Sequence, residues 1–343
     1  MSTWPVYTGT AEPHDGVSRL PGPPPWRAFD GGPVLTLSQQ EVDSASPDAT
    51  HRGSTYRATP ESIDLVNAAL VLRRPLLITG LPGSGKSSLP YAVARELKLG
   101  PVLRWNITSR STLQDGLYQY DPLARLYAAS KGAEAKRATE TGEVHHPGDA
   151  IGDHLRLGPL GTALLPYDRP RVLLIDEIDK SDLDLPNDLL NVLEEGQYEI
   201  PELVRATSHT PEAKLMIAGG EDRVTVHRGR VRCRAFPFIV LTSNGEREFP
   251  PAFLRRCVPL QLRRPERDHL EAIVRAHLGE LDEETTRVIT TFLERSSTGE
   301  LATDQLLNAI YLSRVPGLEA ESRDALAAVL MTHLGPASEF NDF

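Results

Sequence analysis

Cysteine is scarce in this sequence of 343 residues, which contains only Cys233 and Cys257. Two cysteines provide neither a disulfide framework nor the paired spacing of a zinc site, and we expect a cytoplasmic protein. Long apolar runs are also missing and the N-terminus has no apolar signal core, so we expect no membrane-spanning segment. The rest of the composition, 40% hydrophobic and 24% charged residues, is typical of a globular protein.

Basic residues are fewer than acidic ones, and the formal net charge is −10. An acidic balance argues against a protein that binds nucleic acid over its whole surface, although a local basic channel remains an alternative. The length allows two domains. We predict a Pro/Gly-rich leader over residues 1–55, mostly irregular or disordered, an α/β domain over 56–264 and a helical domain over 265–343. Trp26 and Phe29 are the leader residues expected to dock on the body.

The most informative stretch is residues 76–88, where an apolar run precedes a glycine-rich turn with the pattern G-x-x-x-x-G-K-S. We expect a strand, a phosphate-binding loop and a helix that begins near Lys86. Loop N–H groups and the helix dipole attract phosphates; Lys86 would reach the β- and γ-phosphates and the Ser87 hydroxyl would bind Mg²⁺. The alternative is a purely structural turn. The predicted nucleoside triphosphate site comprises Gly80, Leu81, Pro82, Gly83, Ser84, Gly85, Lys86, Ser87 and Ser88.

A third predicted strand, residues 172–175, ends in two adjacent carboxylates, Asp176 and Glu177. Its continuous apolar run is typical of a strand buried on both faces of a parallel sheet. Carboxylates at such a position are costly unless they serve a cation or a reaction. Beside a phosphate-binding loop, Asp176 is the predicted ligand of hydrated Mg²⁺ and Glu177 the base that polarises the attacking water. A solvated acidic strand end is the alternative.

The fourth predicted strand, residues 238–241, leads to Asn244. An amide at the carboxyl end of a strand can orient the attacking water, although such a residue is often only part of a turn. Before this strand, residues 224–236 alternate so that four arginines would share one strand face. That face could contact nucleic acid, but we favour a face that is exposed to solvent or that contacts the acidic surface of a neighbouring subunit. The four residues are Arg228, Arg230, Arg232 and Arg234.

The remaining chain is predicted from periodicity. Residues 130–150 read as a polar, weakly structured insertion, and Gly158-Pro159-Leu160 starts a short helix. Pro250 to Arg256 forms another short helix, followed by a fifth strand. Apolar positions at helical spacing then predict lid helices over residues 266–278, 283–295, 302–314 and 321–334.

These motifs in this order resemble the AAA+ ATPases, most closely the MoxR-like branch, over residues 57–335. The resemblance rests on Gly-Leu-Pro-Gly-Ser-Gly-Lys-Ser at 80–87, Leu-Leu-Ile-Asp-Glu-Ile-Asp-Lys at 173–180, Thr-Ser-Asn at 242–244 and Pro-Ala-Phe-Leu-Arg-Arg at 251–256. It implies an α/β P-loop core with a parallel five-stranded sheet in the order 5-1-4-3-2, a small helical lid, and ATP and Mg²⁺ as ligands.

The resemblance also implies a homo-oligomeric ring, usually a hexamer, with ATP at each subunit boundary. Asn244 would be the sensor-1 residue, and Arg256, in preference to Arg255, the arginine finger that acts on the neighbour's nucleotide. The loop 109–116 and the hairpin after Glu195 would face the pore or the substrate. One departure concerns the start of the third lid helix, since residues 300–305 contain no sensor-2 arginine.

The leading functional hypothesis is an ATP-hydrolysing ring that remodels a protein client, with a von Willebrand factor A domain protein as a partner that the resemblance suggests. The alternative is an AAA+ motor subunit that acts on nucleic acid in a restriction or defence complex, motivated by the arginine strand. A second alternative is a nucleotide-gated scaffold with little turnover, which Glu177 disfavours because a switch needs no base.

Overall fold

The computed structural model describes residues 4–128, 130, 151–296, 301–315, 326 and 329–331. Its strands, in chain order, are β1 (Leu76–Gly80), β2 (Leu103–Asn106), β3 (Tyr118–Tyr120), β4 (Leu155–Leu157), β5 (Val172–Asp176), β6 (Gln197–Glu199), β7 (Glu212–Met216), β8 (Arg223–His227), β9 (Arg230–Arg232), β10 (Phe238–Ser243) and β11 (Val258–Leu262). The α-helices before the lid are Gln39–Val42, Pro47–Thr55, Pro60–Leu72, Leu89–Glu96, Leu113–Leu117, Pro159–Ala163, Asp184–Glu195, Pro201–Ala206 and Pro251–Leu254.

The central sheet has five parallel strands in the order β11-β1-β10-β5-β2. Numbered along the chain as predicted, this order is 5-1-4-3-2, so the predicted fold class is confirmed. Every residue of β5 and β10 is buried, including the apolar runs 172–175 and 238–241 and the polar residues that end the two strands. Because neighbouring parallel strands end at one edge, the sheet brings the ends of β1, β5 and β10 together.

Alternate residues of the central strands contribute to two different core layers. Leu77, Ile175 and Leu241 pack toward the helices Pro159–Ala163 and Asp184–Glu195. Leu76, Leu174 and Val240 pack on the opposite face, against the helices Pro60–Leu72 and Leu89–Glu96. Helices on both faces therefore hold the strand ends in a fixed arrangement.

A second sheet of six short strands, in the order β3-β4-β7-β8-β9-β6, lies beside the core and was not predicted. Most of its pairs are antiparallel; β4 and β7 run parallel, through the pair Arg156 and Met216. The predicted single alternating strand over residues 224–236 is wrong, because a turn divides this segment into β8 and β9. Arg228 and Gly229 both have positive φ, at 52° and 68°, and form the turn between β8 and β9. The burial alternation holds only from Arg230 to Arg234.

The described part of the leader is largely irregular outside two α-helices, Gln39–Val42 and Pro47–Thr55, but several of its residues are buried against the core. Two buried side chains hold its first residues. The Asn67 carboxamide accepts from the N–H groups of Val6 and Tyr7, at 2.7 and 2.9 Å, and donates to the Tyr7 carbonyl. Glu96, fully buried at the end of its helix, accepts from the N–H groups of Thr8 and Ala11. The docking groups are backbone amides, which composition does not reveal.

The two leader aromatics differ. Phe29 stacks on Phe236 with ring centroids 5.6 Å apart, as predicted. Trp26 is 76% exposed, and its predicted docking is wrong. The neighbouring Arg27 is the buried residue instead, at 5% exposure, because its guanidinium donates to carbonyl groups at the end of the helix Asp184–Glu195.

After β11 the described chain is helical, with Arg267–Leu278, Glu283–Ser296 and Thr303–Ser313. Their apolar faces form a separate core around Leu270, Ile289 and Leu306. Three of the predicted lid helices are thereby confirmed. Most of the fourth and nearly all of the insertion at 130–150 lie outside the described residues. None of the described helices combines the length and hydrophobicity that a bilayer crossing requires.

Candidate functional site

The phosphate-binding loop connects β1 to the helix Leu89–Glu96, which begins three residues later than predicted. Pro90 explains the delay, because it has no N–H to donate to the Lys86 carbonyl. Residues 86–88 therefore form turns, and the N–H of Ala92 bonds to the Ser88 carbonyl. Gly83 has a φ of +71°, and a Cβ there would lie 2.5 Å from the Ala302 Cβ. The loop thus needs glycine both for its backbone and for the approach of the lid.

The Lys86 side chain lies across the loop that carries it. Its residue is only 7% exposed, and Nζ donates to the carbonyl oxygens of Gly80 and Leu81, at 2.7 and 2.8 Å. Burial lowers the pKa of the ammonium, while the nearby Asp179, Asp176 and Glu177 oppose that shift. The Lys86 ammonium group thus lies beside the loop carbonyls and faces the acidic residues of the strand ends.

Asp176, at the end of β5, contacts side chains from three other elements. Its Oδ1 accepts hydrogen bonds from the Ser87 and Thr242 hydroxyls, both at 2.7 Å, and its Oδ2 pairs with an Arg104 guanidinium nitrogen at 2.8 Å. The predicted pair of Ser87 and Asp176 is thus in direct contact. Thr242 and Arg104 were not predicted, because their roles depend on neighbouring strands that are distant in sequence.

The oxygen atoms at this position suit Mg²⁺. A hydroxyl and a carboxylate are hard ligands, and Mg²⁺ usually takes only one or two protein carboxylates beside water and phosphate oxygens. Within the described ranges no group of three or more His, Cys, Asp or Glu side chains could hold a metal. The donor set of the Ser87 hydroxyl and the Asp176 carboxylate fits a metal that shares its coordination with a phosphate ligand.

Glu177 follows Asp176 in a left-handed conformation, with φ 61° and ψ 51°. A non-glycine residue in this region stores strain, which is often found at functional sites. Its N–H donates to the Thr242 hydroxyl at 2.8 Å, so the turn is tied to β10. The carboxylate remains 43% exposed and pairs with Lys180 Nζ at 2.8 Å. Glu177 thus presents an accessible carboxylate to the pocket described below.

Asn244 lies at the end of β10, and a buried carboxylate positions its backbone. Asp179, only 2% exposed, accepts at Oδ2 from the N–H groups of Asn244 and Glu246, at 2.8 and 3.2 Å, and from the Ser243 hydroxyl at 3.0 Å. Asp179 was not predicted as a site residue, although it belongs to the Asp-Glu-Ile-Asp sequence. It connects the turn of Glu177 to the loop of Asn244.

We expect Asp179→Ala to lower kcat for ATP by about 10- to 100-fold, because unpaired buried donors cost roughly 1–3 kcal/mol and would shift Asn244. ATP affinity should stay within about threefold, since Asp179 does not reach the pocket wall. Asp179→Asn is the matched control, because its carbonyl oxygen still accepts and it should keep most of the turnover. Steady-state kinetics and equilibrium ATP binding separate the two effects. A large loss of ATP affinity with kcat unchanged would contradict this role.

A pocket of about 780 Å³ is lined by Lys86, Ser87, Asp176, Glu177, Thr242 and Asn244. Its walls come from the phosphate-binding loop, the ends of the central strands, residues 55–61 and the lid. Ligand sites for small molecules commonly measure about 300–1,000 Å³, so a nucleotide fits. The lid contributes His269, His277 and Asp304, and a Cβ on Gly83 would meet Asp304 Oδ1 at 2.7 Å. An acidic residue of the lid thus lies against the loop.

Comparison with known proteins agrees with this geometry. The family model described as AAA domain (dynein-related subfamily) matches residues 75–257, more than half of the chain. The chain belongs to this AAA family. Among solved structures, C. elegans PCH-2 is similar at 13% sequence identity and a TM-score of 0.40, over 82% of this chain and 72% of that chain. No curated protein matches it in sequence.

The arginines Arg255 and Arg256 follow the helix Pro251–Leu254 of the AAA domain and do not line its pocket. Arg256 Nε lies 2.8 Å from Glu194 Oε1, an ion pair without the geometry of a hydrogen bond. Arg255 is exposed, and its side chain has no polar partner in the described part of the chain. Neither residue therefore acts at the pocket of its own AAA domain.

Proposed function

We propose that this AAA protein hydrolyses ATP with the help of Mg²⁺. AAA domains generally bind ATP with Mg²⁺ and hydrolyse it. The observation that carries the proposal is the meeting of Ser87 and Thr242 on one oxygen of Asp176, beside the exposed carboxylate of Glu177. A metal ligand set and a base thereby lie at the end of the phosphate-binding loop.

Each residue has one task in the proposed reaction. Lys86 and the loop N–H groups bind the β- and γ-phosphates, and the Ser87 hydroxyl and Asp176 would hold Mg²⁺, which offsets phosphate charge when bound. Glu177 accepts a proton from the attacking water, whose oxygen bonds to the γ-phosphorus while the bond to the β,γ-bridging oxygen breaks. Asn244 orients that water. Lys180 Nζ pairs with the Glu177 carboxylate at 2.8 Å and would help to position it.

We further propose that the protein forms a ring, of hexameric size, in which Arg256 or Arg255 completes the neighbour's site. AAA+ proteins typically assemble into rings. Support comes from the position of both arginines outside their own pocket. A guanidinium is suited to stabilise the charge that develops on the transferred phosphoryl group. In the ring Arg256 would exchange Glu194 for phosphate, whereas Arg255 has no such pair to break.

A mixing experiment tests the shared site. Lys86→Ala subunits keep the arginine finger but lack a functional phosphate-binding loop. Arg256→Ala subunits keep the phosphate-binding loop but lack the finger. We expect each variant alone to be inactive and an equal mixture to recover activity at about a quarter of the sites, as random assembly in a ring gives. Light scattering confirms assembly, and Arg255→Ala is mixed in parallel to decide between the two arginines. Full activity of both arginine variants alone would contradict a finger in this segment.

The protein client belongs to the same proposal. We infer a MoxR-like remodelling ATPase of the cytoplasm, in which residues 56–264 and the lid 265–343 enclose the nucleotide, and which acts on a protein such as one with a von Willebrand factor A domain. Both cysteines are free and buried, and burial raises the pKa of Cys233 and Cys257 to about 12, which makes them unreactive.

The alternative of a nucleic-acid motor loses support in the arginine strand. Arg230 pairs with Glu199 at 2.9 Å, and Arg232 pairs with Asp30 at 2.8 Å. Two of the four guanidiniums are thus neutralised within the chain. The scaffold alternative would need a reason for the strained, exposed Glu177, and none of its contacts provides one. We therefore retain the protein-remodelling ATPase.

A further inference from the structure

Arg234 lines a different cavity from the other arginines of the predicted strand face, because Arg230 and Arg232 line one beside β8 and β9. Arg230 and Arg232 have acidic partners, and Arg228 lies in the exposed turn between β8 and β9. Arg234 is exposed, and no polar group of the described residues pairs with its side chain. Its side chain lines a cavity of about 350 Å³ between the leader and the core.

The cavity lies at the edge of the central sheet where strands begin, opposite the nucleotide pocket. Arg73 precedes β1, Pro170 precedes β5 and Phe236 precedes β10, and all three line it. The leader supplies another wall through residues such as Val17 and Leu20. A ligand in this cavity would therefore touch the leader and the sheet at once.

Positive charge dominates the lining, which contains four arginines and one carboxylate, Asp168. Arg27 offers no free donor, because its nitrogens donate to the carbonyl oxygens of Arg73, Leu193 and Glu194. Its charge is offset in part by the Glu194 carboxylate, 3.6 Å from the guanidinium. The Arg73 guanidinium bonds to backbone carbonyls and has no acidic partner in the described chain. Burial lowers the pKa of the Arg27 and Arg73 side chains, which indicates that their charges are held at a cost.

The donors available to a ligand are those of Arg234 and Arg169. Arg169 is 49% exposed at its side chain and makes one contact of 3.3 Å with the Asp15 carboxylate. Asp168 is turned to the Thr36 hydroxyl at 3.1 Å. A guanidinium binds oxyanions through paired N–H groups, and its binding is strongest where further positive charge is close.

We propose that this cavity binds a compact oxyanion with at least two negative charges, held by Arg234 and Arg169 in the field of Arg27 and Arg73. Phosphate and clustered carboxylate groups share this chemistry. The volume lies at the small end of ligand sites, which excludes a nucleotide-sized molecule buried whole. The site is independent of the proposed ATPase reaction. Its ligand would fasten the leader to the core.

The test is isothermal titration of the full chain with pyrophosphate and, separately, with citrate, at constant ionic strength set with sodium chloride. All proteins carry Lys86→Ala, to weaken anion binding at the phosphate-binding loop. Arg234→Ala removes the proposed ligand, and Arg228→Ala removes an equally exposed arginine outside the cavity. Any anion still bound by the loop would respond equally to both changes.

We expect saturable binding of one probe or both, weakened at least about tenfold by Arg234→Ala and by less than about twofold by Arg228→Ala. Binding of pyrophosphate alone identifies a phosphate ligand, and binding of citrate alone identifies carboxylates. Absence of saturable binding of both probes, or equal affinities in the two arginine variants, would overturn the proposal. Circular dichroism of each variant confirms that the fold is retained.

Discussion

Glu177→Gln is expected to reduce ATP turnover by about 100-fold or more while ATP remains bound, because general-base catalysis contributes roughly 10²–10⁴ in rate. Glutamine keeps the size of the side chain and the left-handed turn, which depends on the backbone bond to Thr242. It cannot accept the proton of the attacking water. The ligands of the nucleotide, Lys86 and the loop, are unchanged by this substitution.

Pre-steady-state and steady-state phosphate release, together with equilibrium binding of a fluorescent ATP analogue, measure the two properties. Glu195→Gln is the matched control, since Glu195 is an exposed glutamate at the end of the helix Asp184–Glu195 and lies outside the pocket. It should hydrolyse ATP like the wild type. Turnover of Glu177→Gln within a few-fold of the wild type would place the base elsewhere.

Lys86→Ala is expected to weaken ATP binding by about 10- to 100-fold, the effect of a lost charge-assisted hydrogen bond of roughly 1.5–3 kcal/mol. The same ammonium satisfies the carbonyl oxygens of Gly80 and Leu81, so its removal also loosens the loop. We also expect this variant to show no ATP turnover. Both effects follow from one buried side chain.

Equilibrium binding of ATP and ADP measures this effect. Lys214→Ala is the control, because Lys214 is an exposed lysine of β7 outside the pocket. Its nucleotide affinity should equal that of the wild type. Unchanged ATP affinity in Lys86→Ala would show that the G-x-x-x-x-G-K-S loop is not the phosphate site.

The predictable part of the molecule is local in sequence. β1 and its loop, and β5 with Asp176, each combine an apolar run with polar residues that directly follow it. Parallel packing then brings such strand ends to one edge, which is why Ser87 and Asp176 meet as predicted. The helix after the loop begins three residues later than its motif predicts, because Pro90 has no N–H to donate to the Lys86 carbonyl.

The unpredicted part depends on contacts between distant residues. Thr242, Arg104 and Asp179 act through hydrogen bonds to side chains or amides from other strands, and no spacing in the sequence marks them. The leader docks through backbone amides to Asn67 and Glu96, and its Pro- and Gly-rich composition does not reveal these contacts. The second sheet consists of strands of three to five residues, too short for a clear alternation.

The most direct test of the account is Mg²⁺-dependent release of phosphate from ATP by the wild-type chain, with the Lys86→Ala protein prepared in parallel as the blank. We predict release that requires Mg²⁺, stops when the metal is chelated and is absent from the Lys86→Ala preparation. Equal release by the two proteins, or release that persists in excess chelator, would contradict an ATPase site built from Lys86, Ser87, Asp176 and Glu177.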